Sequence, residues 1–397
     1  MRYTILTILA AGVIAGQDQS AADWPQLFGA TRNAKASAVI APTAKVSVGW
    51  KRPMPSGGAA MVVMGDQLYT LGTDGEHDIL FAIDIAAGHD VWRLVLGKTH
   101  ADATANGPNS TPALAGDLLV TISTGCEMKA VNVKTREVVW TQDLGARFAS
   151  RFAKRGGCGM APLVAGSRVV VVTGASDGPR LAAFDIATGK PAWTTPDLPN
   201  SYNVAPGWAD GLVLYHHIKS PGGSGVSAVN AETGAIAWQI DGPGGESDAT
   251  PVTAPGGRIL IENWPHVSLF DVATRMALWT SKEIVAGRSP AVAHKDHIYT
   301  FGGQSAEFLS CVEAATGKTT WTSRIYRGHL VLAGETLVIL SESSGMVRLV
   351  AADPSGYREL AQTAVLTPGA RTGTPPSVAG GRIFVRNLDE LAAVVVR

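Results

Sequence analysis

From Gly49 onward one pattern returns: an apolar run, an acidic or amide residue, two spacers, Thr-Gly, three residues, then tryptophan. It is clearest in AAFDIATGKPAW, SAVNAETGAIAW and CVEAATGKTTW, which end at Trp193, Trp238 and Trp321. Degenerate copies, FAIDIAAGHDVW, AVNVKTREVVW and LFDVATRMALW, end at Trp92, Trp140 and Trp279. In all six the acidic or amide residue (Asp84, Asn132, Asp185, Asn230, Asp271 or Glu313) precedes its Trp by eight positions. VSVGW supplies a further slot at Trp50, and LVAADPSGYREL a weaker one with Leu360 in place of the indole. Successive slots lie 42, 48, 53, 45, 41, 42 and 39 residues apart. Such a period suits a repeating unit of four short strands. No stretch carries helical periodicity beyond a turn or two.

Between the Trp slots runs a second strand-like segment, alternating or continuously β-branched: DQLYTLG, DLLVTIS, SRVVVVT, DGLVLYH, GRILIEN, DHIYTFG, TLVILSE and GRIFVRN. Proline-containing segments such as TPALAG, APLVAG, TPVTAP and SPAVAH precede six of these. Proline suits the start of a strand, where its missing N–H is tolerated. The 45 glycines supply turns. Four strands per unit and eight units predict an all-β, eight-bladed propeller of four-stranded antiparallel blades. The last unit, ending in TPPSVAGGRIFVRNLDELAAVVVR, lacks a Trp strand, whereas Val46–Trp50 is a Trp strand without a unit before it. Open sheet edges invite aggregation. The segment of about 46–50 is therefore expected to join the C-terminal blade and close the ring.

The tryptophans Trp50, Trp92, Trp140, Trp193, Trp238, Trp279 and Trp321 are read as inter-blade packing residues with hydrogen-bonded indoles. Glycine permits the tight turn by accepting positive φ, and the preceding Asp or Asn caps that turn's N–H groups. Residues 1–22 read as a signal peptide: Arg2, an apolar stretch too short to span a bilayer, and small residues at Ser20-Ala21-Ala22. The segment has no cysteine to lipidate. Residues 23–43 form an N-terminal extension and 44–397 a single propeller. A periplasmic or secreted, monomeric protein without a membrane span is expected. Lys plus Arg and Asp plus Glu balance at 33 each, which argues against nucleic-acid binding by bulk charge.

The A-x-D-x-x-T-G-x-x-x-W signature resembles the PQQ-like repeat of the quinoprotein alcohol dehydrogenase-like superfamily and of the outer-membrane assembly lipoprotein BamB. Trp24-Pro25-Gln26 with Gly29 and Arg32-Asn33 is similar to the W-P-Q-F-R-G-P opening of secreted bacterial propellers of this kind, departing at Leu27, Phe28 and Ala30. The resemblance implies the scaffold more than a role. Cofactor-using members are longer and carry adjacent cysteines, whereas Cys126, Cys158 and Cys311 are isolated here, and no catalytic or calcium motif carries over. A non-catalytic scaffold binding an envelope or secreted protein or peptide through its loop face, without a cofactor, is the leading expectation. The alternatives are a redox enzyme using the quinone PQQ with calcium, or another small ligand, in the channel, and a carbohydrate-binding propeller using Trp208 and Trp264.

No hydrolase, metalloprotease or nucleotide motif appears. Adjacent His216 and His217 point to opposite strand faces, and His294 with His297 supplies too few ligands, so no metal is expected. Propeller geometry places Asn109, Cys158, Asn203, Asp248, Arg288, Arg327, His329 and Arg371 at the channel entrance, where arginines suit an anion or carboxylate. A long linker carries Arg147, Phe148, Arg151, Phe152, Lys154 and Arg155, a composition suited to partner contact. Blade topology brings Cys126 and Cys158 to the same face of neighbouring blades, so that a disulfide competes with three free thiols.

Overall fold

The computed structural model describes residues 23–100, 107–150, 158, 160–175, 177–196, 198–201, 204–219, 223–243, 249–263, 265–284, 289–302, 307–325, 328–369 and 373–397. Eight antiparallel sheets form the blades of the expected propeller, with one short helix, Leu144–Phe148. Blade 1 runs from Val62 to Lys98, blade 2 from Ala113 to Asp143, blade 3 from Leu163 to Thr194 and blade 4 from Gly207 to Gly242. Blades 5, 6 and 7 span Val252–Ser281, Val292–Arg324 and Gly328–Ala364. Blade 8 takes three strands from Ser377–Val396 and its outer strand from Val46–Pro53, which pairs antiparallel with Glu390–Val396 from Val46↔Val396 to Pro53↔Glu390. The ends close the ring together. Lys45 and Arg397 exchange backbone hydrogen bonds at 2.8 and 3.0 Å beyond the last strand pair.

Each indole reaches the next blade. The Trp50, Trp140, Trp193, Trp279 and Trp321 N–H groups donate to the carbonyls of Ile85, Ile186, Ala231, Ala314 and Asp353 at 2.8–3.0 Å. The acceptors lie in the turn between the third and fourth strands, which the repeated acidic or amide residue organises. Asp84 Oδ1 accepts from the Ala86 and Ala87 N–H groups at 2.9 and 2.6 Å, and Asn230 Oδ1 accepts from Glu232 and Thr233 at 3.0 and 2.9 Å. The turn glycines Gly88, Gly189, Gly234 and Gly317 have φ of +69° to +75°. A Cβ at these positions would lie 2.5–2.7 Å from the Cδ2 of Trp50, Trp140, Trp193 or Trp279. Glycine is thus required twice, by its dihedral and by the ring lying on it.

Three turns depart from this pattern; in blade 7, Tyr357 takes the glycine position and packs edge-on against Trp321. The turns facing Trp92 and Trp238 carry Arg136 (φ +66°) and Arg275 (φ +60°) at the glycine position. Among the described residues, neither Trp92 nor Trp238 makes the indole hydrogen bond. Both still pack between blades, Trp92 beside Val133 and Trp238 beside Val272.

The innermost strands are laced together by hydroxyls that precede or begin them. Ser110 Oγ donates to Met160 O at 3.1 Å, Thr250 Oγ1 to Ala205 O at 3.0 Å and Ser377 Oγ to Met61 O at 2.7 Å. Thr111 Oγ1 accepts from Ala60 N at 3.0 Å and Ser289 Oγ from Leu330 N at 3.3 Å.

Residues 24–36 cross the end of the channel where the short turns lie. Trp24 bridges Val63 of blade 1, Pro25 O accepts from Leu114 N of blade 2, and Gln26 Oε1 accepts from Val164 N of blade 3. Lys35–Ala36 then pairs parallel with Leu332–Ala333 of blade 7. This segment is a plug. It fixes the channel's open end at the opposite face, where the inner strands begin.

Because positive φ costs a non-glycine residue roughly 1 kcal/mol, Arg136→Gly is expected to stabilise the fold by about 0.5–1 kcal/mol. Gly189→Ala, which drives a methyl into Trp140, is expected to destabilise it by about 1–3 kcal/mol. Denaturant midpoints of the two variants check both; equal and small effects would sink this account of the turn.

Candidate functional site at the channel mouth

A cavity of about 170 Å3 lies on the ring axis above the plug, with Leu27 and Phe28 lining its base. Its wall takes Gly58 and Ala60 from blade 1, Asn109 and Thr111 from blade 2, Met160 from blade 3 and His329 from blade 7. Thr111 and Thr250, which also line it, are engaged in the lacing described above. Asn109 lies hard against Gly58, where a Cβ would come within 2.2 Å of Oδ1. His329 is buried, with Nε2 3.3 Å from Glu342 Oε1. The structure thus brings Asn109 and His329 into one cavity. Asn203, Asp248, Arg288, Arg327 and Arg371 fall outside the described residues.

Connections on this face differ widely in length. Those leading from an outer strand to the next inner strand run from three residues, 325–327, to nineteen, 144–162. Turns on the plug face are short: two or three residues join each first and second strand. The nineteen-residue connection opens with the helix Leu144–Phe148, capped by Asp143 Oδ1, which accepts from Ala146 N at 2.8 Å. Arg147 donates to Gln142 Oε1 at 3.2 Å and lies 6.0 Å from the Phe184 ring centroid, a cation–π contact with blade 3. Phe148 packs against the core shared by blades 2 and 3. Arg151, Phe152, Lys154 and Arg155 lie outside the described residues.

Cys126 and Cys158 are disulfide-bonded, with Cα atoms 5.0 Å apart, and Cys311 is free and buried. Cys126 sits at φ +65° in the blade 2 loop Ser123–Cys126. Blade 1 grips the same loop: Asp78, fully buried, accepts from Thr124 N at 2.6 Å, Thr124 Oγ1 at 2.7 Å and Thr99 Oγ1 at 2.9 Å. Desolvation raises the Asp78 pKa against these bonds. One loop is thereby tied to the blades on both sides, which holds the base of the long connection in place.

Sequence reasoning missed a buried polar seam at the upper ends of the second strands. His216 Nε2 pairs with Asn263 Oδ1 at 2.5 Å, Asn263 Nδ2 donates to Ser224 Oγ at 2.6 Å, and Ser224 Oγ donates to Pro243 O at 2.6 Å. Glu262 Oε1 accepts from Ala291 N at 2.8 Å. Arg386 clamps blade 8 to blade 1, donating to Thr70 Oγ1 at 2.8 Å and Leu71 O at 2.7 Å. The signal was present: LVLYHHIK, RILIEN and RIFVR place His, Glu and Arg where sister strands hold Leu, Ile or Phe. Of the candidate sugar platforms, Trp208 is partly buried against the core of blades 3 and 4, and Trp264 lies outside the described residues.

The family model described as outer membrane protein assembly factor BamB matches residues 75–323. The chain belongs to this family. BamB of Burkholderia pseudomallei is 25% identical over 382 residues, covering 88% of this chain and 87% of its own. The dehydrogenase subunit of a quinone alcohol dehydrogenase from Gluconacetobacter polyoxogenes is 32% identical over 162 residues, 37% of this chain and 22% of its own. The crystal structure of BamB from Moraxella catarrhalis superposes with a TM-score of 0.65 at 15% identity, covering 88% of this chain and 97% of that one. Among the described residues no helix is long and apolar enough to cross a membrane, and no three His, Cys, Asp or Glu side chains group to hold a metal ion. The disulfide spans 32 positions, and the described hydroxyls around the axis bond to neighbouring blades.

Two measurements follow from this geometry. Thiol titration of the unfolded, unreduced protein is expected to return one reactive group, from Cys311; three would remove the disulfide from the argument. Burial lowers the His216 pKa from 6.5 to about 4. The unfolded chain therefore binds the extra proton between those values, so the stability from neutral His216 is complete above about pH 6.5 and is lost as pH falls toward 4. Across that window His216→Gln should lose less stability than the parent, by up to about 3 kcal/mol; identical pH slopes would show that His216 does not titrate this way.

Proposed function

We propose that the protein is a non-catalytic, extracytoplasmic scaffold, periplasmic or secreted, which binds a protein or peptide partner through its channel-mouth face and acts without a cofactor. The division of labour between the two faces carries this reading. The plug and the short turns close one face. The other presents connections of three to nineteen residues, the longest anchored by a disulfide. Preorganised loops on a rigid frame reduce the ordering cost of association. The described polar groups around the axis are largely spent between blades, which favours recognition by the rim over chemistry in the channel. The full-length relative named for outer-membrane protein assembly supports the same role and compartment. The partial likeness to a quinone-dependent subunit supports the rival, a redox enzyme.

A pull-down from envelope extract with the purified protein separates the two. Parent protein is expected to retain a specific partner, and charge reversal of Arg151, Lys154 and Arg155 together is expected to weaken retention about tenfold or more. Titration with PQQ and calcium in a dye-reduction assay with alcohols is expected to give no turnover. Robust dye reduction would overturn the scaffold reading.

A further inference from the structure

Phe28 joins the floor of the axial cavity from a strained backbone. Its φ is +64°, a left-handed conformation that a bulky side chain rarely adopts. Such strain persists where the surroundings over-determine it, and it gathers at functional sites. Here the plug is held at blade 3 through Gln26 and at blade 7 through Lys35, and Phe28 O accepts from Ala34 N at 3.0 Å. The plug thereby fixes an aromatic residue under the cavity.

The lining grades from apolar to polar along the axis. Leu27 lies beside Phe28 in the floor, and the wall takes Ala60 from blade 1, Met160 from blade 3, Ala205 from blade 4 and Pro375 from blade 8. The buried polar groups of the lining are already engaged: Thr111 with Ala60 N, Thr250 with Ala205 O and His329 with Glu342. Asn109 differs, being only half-buried. The chain there runs from the mouth down to the plug, where Leu114 N meets Pro25 O, so Asn109 lies on the mouth side of Thr111. One carboxamide therefore stands near the entrance above an apolar floor.

Size narrows the occupant. A dry apolar cavity of about 150 Å3 holds one benzene ring, and this one measures about 170 Å3. A polar metabolite needs several convergent polar partners, which the described lining does not offer. A phenyl ring needs none at its tip, and it packs well on an aromatic ring and a thioether. The backbone behind such a ring carries the N–H and C=O that a carboxamide can pair with.

We propose that the cavity is the anchor pocket for the partner: a single phenylalanine side chain, at the tip of a partner loop, enters through the mouth and lies over Phe28 while its backbone pairs with Asn109. The inference rests on the partner-binding reading and adds to it the side chain that is recognised. Tyrosine fits less well, because its hydroxyl would be buried unpaired against Leu27 and Phe28.

The test combines partner retention from envelope extract by the purified full-length protein with three soluble probes. N-acetyl-phenylalaninamide is expected to displace the retained partner with saturation, N-acetyl-tyrosinamide about tenfold less well and N-acetyl-alaninamide not at all. Ala205→Phe, which fills the cavity from its half-buried wall position, should weaken retention about tenfold or more with a melting midpoint within about 3 °C of the parent. Crystals soaked in bromobenzene should show an anomalous peak over Phe28 in the parent and none in Ala205→Phe. Undiminished retention by folded Ala205→Phe overturns the pocket and leaves partner binding by the rim intact. Equal displacement by all three probes overturns it in the same way. A bromobenzene peak with undiminished retention also overturns it, marking a site for free small ligands. No retention by the parent removes the scaffold reading and the pocket with it. Should Ala205→Phe fail to fold, probe competition and the soaked map of the parent decide.

Discussion

A ring of sheets holds only if its last blade meets its first, and here that junction depends on eight residues far from the C-terminus in sequence. Val46–Pro53 supplies the outer strand of blade 8, and Trp50 of that strand docks on Ile85 of blade 1. Arg52 Nη1 lies 2.5 Å from Asp90 Oδ1 of blade 1, while Lys51 Nζ reaches Glu390 Oε1 within blade 8 at 2.8 Å. Arg386 adds a buried set of bonds from blade 8 to the blade 1 backbone. Exposed ion pairs contribute little singly. Backbone pairing, the indole contact and the buried guanidinium carry the junction. A strand pair so distant in sequence costs the loop-closure entropy of nearly the whole chain.

The junctions at Trp140, Trp193 and Trp279 reuse the local version of that contact. The repeated Asp or Asn organises a turn, the glycine keeps the turn bare, and the preceding blade's indole lies on it and bonds its carbonyl. Arg136 and Arg275 show how the parts depend on one another. Where a side chain replaces the glycine, the two facing tryptophans keep their packing and lose the polar bond. The junction survives because apolar burial, at about 25 cal/mol per Å2, outweighs a single hydrogen bond of about 1 kcal/mol.

Eight recurring slots, 39 to 53 residues apart, made the fold, the blade count and the closing strand legible in the sequence. Blade topology put Cys126 and Cys158 on one face of adjacent blades and left a disulfide open beside three free thiols; the structure holds the bond. The site was less so. Asn109 and His329 line one cavity, but neither spacing nor composition reveals that neighbouring hydroxyls are consumed in lacing the inner strands. Trp24 to Ala36 read only as an extension, because a segment without periodicity gives no sign of where it docks. The deep burial of Arg32 is a consequence of that docking, and a lone arginine in a polar stretch looks like a solvated one. His216 and Glu262 stood out as polar residues where sister strands are apolar, but their partners come from the neighbouring blade, which strand periodicity does not reveal.

Plug-face turns vary little while the outer-to-inner connections run from three to nineteen residues, so most of the spread in slot spacing from 39 to 53 residues is generated on the channel-mouth face. The plug-face turns cannot lengthen freely, because the indole contacts and the plug itself pack against that side of the ring. The opposite connections bind neighbouring blades through the hydroxyls that precede the inner strands, and Asp78 and the disulfide secure the blade 2 loop beside the longest of them. A propeller that fixes one face for assembly leaves the other face free to change. The rigidity of the first is what allows the second to hold its loops in defined positions, and the nineteen-residue connection is pinned at the junction where it begins.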